Sequence, residues 1–213
     1  MRKILFIFLI YNIFSILNIS ASELYPNSNI YYNPSYRFKI EKPKDWYFGN
    51  IESPIEGGKD LVYKNRNIDQ FFKNNKQTLP LIIISKYQDN KNEPITYRFI
   101  PNLKVIVYYF GDITIKPEVF IDFLNVSMKK LEIDFDIIEK KYLIENNKNT
   151  LKIKYKYILK YSNNFEHKII TNLLIIQNGS LVFYIQTSSL VEEDNEKDFK
   201  FMMNSIKFGT ISE

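Results

Sequence analysis

His167 is the only histidine among the 213 residues, and a histidine beside a carboxylate is a common starting point for a general base or a pH switch. It stands in the stretch Phe165-Glu166-His167-Lys168-Ile169, where an alternating pattern begins. A base needs a nucleophile to activate and a group to orient it, and neither is present at a readable spacing. His167 therefore reads as a surface histidine beside a turn. Carboxylates gather at Glu132-Asp134-Asp136, along the turn Asp89–Glu93, and at Glu192-Glu193-Asp194. Asp134 and Asp136 alternate at the start of a strand, so they share a face and could hold a hard cation. None of these groups has the glycine and ligand spacing of a calcium loop, and each reads as solvated acid. No GxSxG, HExxH, GxxxxGKS/T or GxGxxG pattern occurs, so the usual hydrolase, zinc-protease and phosphate-loop chemistries lack their parts. The chain has no cysteine, which excludes disulfides, thiolate metal sites and cysteine nucleophiles. The expectation is no catalytic residue, no metal ligand and no cofactor.

Residues suited to binding are easier to find than residues suited to reaction. In Leu151–Tyr161, Lys152, Lys154, Lys156 and Lys160 alternate with Ile153, Tyr155, Tyr157, Leu159 and Tyr161. An extended strand of this pattern carries a cationic ladder on one face and an aromatic layer on the other. The ladder could dock an acidic partner or anionic lipid heads. As the wet face of a strand it would keep the sheet soluble and guarded against edge pairing. Trp46 is the only tryptophan, and with Tyr47 and Phe48 it could anchor a partner or cap the sheet. Trp46, Lys152, Lys154, Lys156 and Lys160 are the candidate partner surface.

The elements that would position these residues follow in order. Residues 1–22 have Arg2 and Lys3 at the start, an apolar run from Ile4 to Leu17, and small residues at Ser20-Ala21-Ser22. This is the pattern of a cleaved secretory signal. The apolar run is short for a membrane anchor, so the mature chain is expected to carry no transmembrane span. No cysteine stands at that boundary to carry a lipid anchor. Removing 22 of the 213 residues leaves 191, and loss of Arg2 and Lys3 takes the net charge from +5 to +3. That length suits one domain with a sizeable core. The expected location is periplasmic or secreted, away from nucleic acid.

Residues 23–35 carry prolines and asparagines without a period and read as a flexible leader. Alternation at 36–41 makes a strand that Pro43 ends, with Trp46 just past the turn. Gly57-Gly58 marks a turn before a short strand at 60–64, and a polar loop follows to 78. Strands are expected at 79–87 and 104–110. Pro117 opens a helix whose Phe120, Phe123, Leu124, Met128 and Leu131 share one face. Strands at about 134–144, 150–161, 168–177 and 180–188 form an antiparallel meander, with Asn178-Gly179 as a hairpin signal. Acidic residues at 192–198 then start a helix with Phe199, Met202, Met203 and Ile206 at helical spacing.

Two short patterns carry a resemblance. Tyr36-Arg37-Phe38-Lys39-Ile40-Glu41-Lys42-Pro43-Lys44-Asp45-Trp46 opens the domain, and Phe199 with Phe201–Phe208, FMMNSIKF, closes it. With the order strands, helix, meander, helix, the stretch 36–208 resembles the PsbP/Mog1-like group of domains. The resemblance implies an α+β fold, an antiparallel sheet with helices flanking it as an α/β/α sandwich, and residues 209–213 as a tail. Members of that group mostly act as binding or assembly factors, so it also implies a non-enzymatic role with a protein partner or envelope component. No metal or partner-binding motif carries over position by position. The rival α+β reading is an NTF2-like cone, which normally begins with helices and can hold an enzyme pocket. A small apolar ligand held between sheet and helix is the remaining alternative. The oligomeric state stays open.

Overall fold

Alternation dominates the second half of the chain, and it folds there as alternation requires. In the computed structural model, which describes residues 28–49, 78–87, 99–109, 118–145, 148–160 and 166–209, the meander runs β6 (Phe135–Glu145), β7 (Lys148–Lys160), β8 (Glu166–Asn178) and β9 (Leu181–Leu190). Each strand pairs antiparallel with the next. The β8–β9 hairpin closes with Asn178 opposite Leu181, so the two loop residues are Gly179 and Ser180. Gly179 has φ 59°, the left-handed geometry that a tight hairpin needs and glycine adopts at no steric cost.

β9 then pairs with β5 (Asn102–Tyr109), β5 with β4 (Thr78–Ser85), and β4 with β3 (Tyr47–Gly49). The result is a seven-stranded sheet in the order β3-β4-β5-β9-β8-β7-β6. A second sheet of three strands has the order β1-β2-β10, from β1 (Ile30–Asn33), β2 (Phe38–Glu41) and β10 (Lys207–Phe208). The leader is thus not loose throughout, because Ile30–Asn33 pairs in register with Phe38–Glu41. Its alternation was hidden by the flanking asparagines and prolines. The expected signal 1–22, the turn at Gly57-Gly58, the strand at 60–64, Pro117 and residues 210–213 lie outside the described residues.

Helix α1 (Val119–Lys130) lies on one face of the large sheet. Phe120, Leu124 and Met128 are its buried stripe, and they pack on Tyr108, Tyr155 and Tyr184. The rings interlock, with Phe120 5.7 Å from Tyr108 and 6.4 Å from Tyr184 between centroids. Leu131 does not extend that stripe. It is the residue that ends the helix, with φ −83° and ψ 1°, and leaving helical geometry swings it out to 64% exposure.

The other face is covered, over its β3-β4-β5-β9 part, by the small sheet and by helix α2 (Glu196–Ser205). Phe38 stacks on Phe183 at 5.7 Å, and Phe208 meets Phe183 edge-on at 4.7 Å. The end of α2 is fixed to β2 through Ser205, whose Oγ accepts from the Glu41 amide at 2.8 Å. Among the described residues, no helix is long and apolar enough to cross a membrane.

Candidate functional site

On β7 the sidedness of the strand is clear in burial. Leu151, Ile153 and Tyr155 are buried against the α1 layer, Lys152 and Lys154 are half-buried on the opposite face, and Lys156 and Lys160 are exposed. Register sets the neighbours of the ladder. Lys154 stands opposite Glu139 and Lys156 opposite Asp136 on β6, while Lys160 stands opposite Glu166 on β8. Asp136 reaches Lys156 at 3.6 Å, with both side chains more than half exposed. The Glu139 carboxyl is held below its ordinary value, chiefly by a hydrogen bond from Lys141 and then by the charges of Lys141 and Lys154. Carboxylates therefore answer Lys154 and Lys156 from β6 and Lys160 from β8, as cross-strand pairing favours.

From the β8 and β9 side, register carries the lysine face onto Ile170, Asn172 and Leu174, and then onto Thr187 and Ser189. β9 ends at Leu190, and the chain turns through residues 191–195 into α2. This turn is tied down. Lys86 donates to Asn195 Oδ1 at 2.6 Å, Asn195 Nδ2 donates to Glu193 Oε2 at 3.1 Å, and the Phe199 amide donates to the Asn195 carbonyl at 3.0 Å. Asn195 is itself buried. The acid at the start of α2 suits the positive end of the helix dipole, so the acidic residues have a local reason to be there.

A cleft of about 650 Å³ opens between these parts. Lys152 and Lys154 border it from β7, with Glu139 of β6 beside Lys154; Glu192, Glu193, Asp194 and Glu196 border it from the turn into α2, with Lys200. Asn172, Thr187 and Ser189 border it between the walls, and Leu174, Phe199 and Met203 add apolar surface. The arrangement supplies fixed charges of both signs, hydroxyls and an amide. It can orient a polar ligand.

The structure brings together Lys152, Lys154 and the acidic run at 192–194, which are remote in sequence. Lys156 and Lys160 continue the ladder away from the cleft. Trp46 is not on this surface. Its ring is 1% exposed, packs edge-on against Phe199 at 5.5 Å, and donates from Nε1 to Asp198 Oδ2 at 3.1 Å. Its amide donates to the Pro43 carbonyl at 3.1 Å, so the proline turn drives the ring into the core and leaves no face for a partner.

His167 is also placed otherwise than expected. It is buried, 6.5 Å from the Phe99 ring, because odd-numbered positions of β8 share the core face with Ile169, Thr171 and Leu173. Asp136 and His167 lie on opposite faces of the sheet by register, and Asp134 and Asp136 are exposed. Among the described residues no group of histidine, aspartate and glutamate side chains stands ready to hold a metal. The turn 89–93 lies outside them. The layer between α1 and the sheet, where an apolar ligand could have sat, is filled by Tyr108, Phe120 and Tyr184 at ring distances of 5.7–6.4 Å.

Thr187, Ser189, Asn172 and Asn195 escaped the sequence reading. A usable signal existed in Thr187-Ser188-Ser189, a polar run inside an otherwise apolar strand, where hydroxyls must either pair or line a space.

The sequence matches no family model and no curated protein. Among solved structures it is similar to the solution structure of cyanobacterial PsbP (CyanoP) from Synechocystis, with a TM-score of 0.53 at 12% identity, over 84% of this chain and 91% of that one. It is also similar to a crystal structure from Bacteroides thetaiotaomicron, with a TM-score of 0.45 at 10% identity, over 87% of this chain and 50% of that one. Among the described residues, five strands precede the first helix. The fold of this chain is PsbP-like.

Proposed function

We propose that this chain is an exported, non-enzymatic accessory domain that binds a protein partner or a component of the cell envelope, and that the docking surface is the lysine-bearing part of the sheet with its cleft. The observation that carries this reading is one sheet face whose β7 side is covered, among the described residues, only at its start by Phe208. α2 and the small sheet cover that face over β5 and β9, while over β7 it presents Lys152, Lys154, Lys156 and Lys160 beside an open cleft. The signal-like start at Arg2, Lys3 and the apolar run supports export. The missing catalytic motifs and the PsbP-like fold support a role in binding.

A photo-crosslinking residue placed at Lys156 tests it, with one at the exposed Asn125 on α1 as the control. In envelope preparations from the producing cell, the reading expects a defined adduct from position 156, no matching adduct from 125, and loss of the adduct when Lys152 and Lys154 are changed to Glu. Identical adducts from both positions, or turnover in a broad hydrolase screen that survives those changes, would overturn it.

A further inference from the structure

We propose that the cleft takes a short peptide with free ends, its carboxylate toward Lys152 and Lys154 and its ammonium toward the acidic turn before α2. This rests on the docking role above and names its ligand class. Charge is the first reason. A simple anion would be drawn to Lys152 and Lys154 but pushed away by Glu139, Glu192, Glu193, Asp194 and Glu196, and a simple cation would be drawn to the carboxylates but pushed away by the lysines. A dipolar ligand is favoured by both walls at once, and the same arrangement rejects singly charged competitors.

The second reason is an unanswered hydroxyl. Ser189 borders the cleft, and its hydroxyl, which makes no hydrogen bond to the protein among the described residues, is open to the solvent there. Thr187, 2% exposed, receives only a long 3.4 Å contact from Asn172 Nδ2. Both hydroxyls have hydrogen-bonding capacity to spare, and a peptide backbone brings N–H and C=O groups in the alternation that can use it. Leu174, Phe199 and Met203 give a side chain of the ligand somewhere apolar to rest.

Size and rigidity agree. About 650 Å³ falls within the roughly 300–1,000 Å³ usual for small-ligand sites. The acidic wall is held before any ligand arrives by the Lys86–Asn195 and Asn195–Glu193 hydrogen bonds, which lowers the ordering cost of binding.

Calorimetric titration of the full chain with tri-L-alanine, its N-acetyl form, its C-terminal amide and the doubly blocked form tests this. The expected result is binding of the free peptide, weakened by about tenfold or more on blocking either end, as loss of one charge-assisted contact implies. Changing Lys152 and Lys154 to Gln should erase the difference between acid and amide. Changing Glu192 and Glu196 to Gln should erase the difference between free and acetylated amine. Ser189→Ala should weaken binding several-fold while leaving thermal stability unchanged or raised, since a hydroxyl that served the fold would instead lower it. Equal binding of free and blocked peptides, no binding of any form at millimolar concentration, or end-group differences that survive the charge changes would overturn the assignment. The crosslink at Lys156 is read separately, so a partner can still dock when this ligand class fails.

Discussion

β9 and β7 belong to the same sheet and are separated by one strand, yet they have opposite relations to water. β9 is buried along nearly its whole length on both faces, with Val182, Phe183, Tyr184 and Ile185 consecutive in the core. β7 is buried on one face and wet on the other. The difference comes from what covers them. α1 lies over one face, while α2 and the small sheet cover β9 on the other face and meet β7 only at its start, where Lys148 lies over the Phe208 ring at 4.7 Å. Stability is therefore concentrated in the doubly covered part of the sheet.

The comparison is broken most sharply at Phe183. Phe183→Ala removes a ring that meets Phe38 and Phe208, and it should cost about 3–5 kcal/mol. Urea unfolding should show the midpoint falling with little change in slope. A cost no larger than that of a surface substitution would mean that β9 is not the load of the core.

High pH probes the α1 layer next. Burial pushes the Tyr155 and Tyr184 phenols far above their ordinary 10.0, so the folded state keeps protons that the unfolded chain gives up. Their contribution is complete below pH 10 and is lost as pH rises beyond it. Burial pushes the Lys104 ammonium down from 10.5. There the unfolded state binds more protons between the two values, so stability rises with pH in that window. The phenols, with the larger shifts, should win, and denaturation midpoints should fall above about pH 10. Tyr184→Phe should flatten that fall, and an unchanged slope would show that the phenol is not what titrates.

A smaller effect is expected where the proline turn meets α2. Trp46→Phe keeps much of the packing on Phe199 but removes the donor to Asp198; about 1–2 kcal/mol should be lost in thermal unfolding. Smallest of all is the wet face of β7. Lys156→Ala breaks only an exposed pair with Asp136 and should change stability by less than about 0.5 kcal/mol. A large loss there would mean that the ladder supports the fold.

The long strands and the two described helices are legible in the sequence because their signals are periodic and local, whereas the short strands β1, β3 and β10 carry too few residues to show a period. Lys152, Lys154 and Lys156 against Ile153 and Tyr155 state which face of β7 is wet, and Phe120, Leu124 and Met128 mark the buried side of α1. Relations between distant segments were not legible. Trp46 finds its hydrogen bond 152 residues later, at Asp198, and no local pattern announces that. The cleft had the same obstacle, since Lys152 and Glu192 face one cavity only because β9 turns back into α2 over the sheet. His167 was misread because the turn beside it suggested water, whereas its place in the odd-numbered register of β8 decided its burial.

β2 lies between β1 and β10, and the Glu41 amide is answered by Ser205 from 164 positions away. The order of synthesis then matters. A ribosome that has released everything up to β9 has made the whole large sheet, but nothing yet to cover Phe38 and Phe183 from the β10 side. Closure of the second core waits for the last strand to emerge, and contacts of such long sequence separation form slowly.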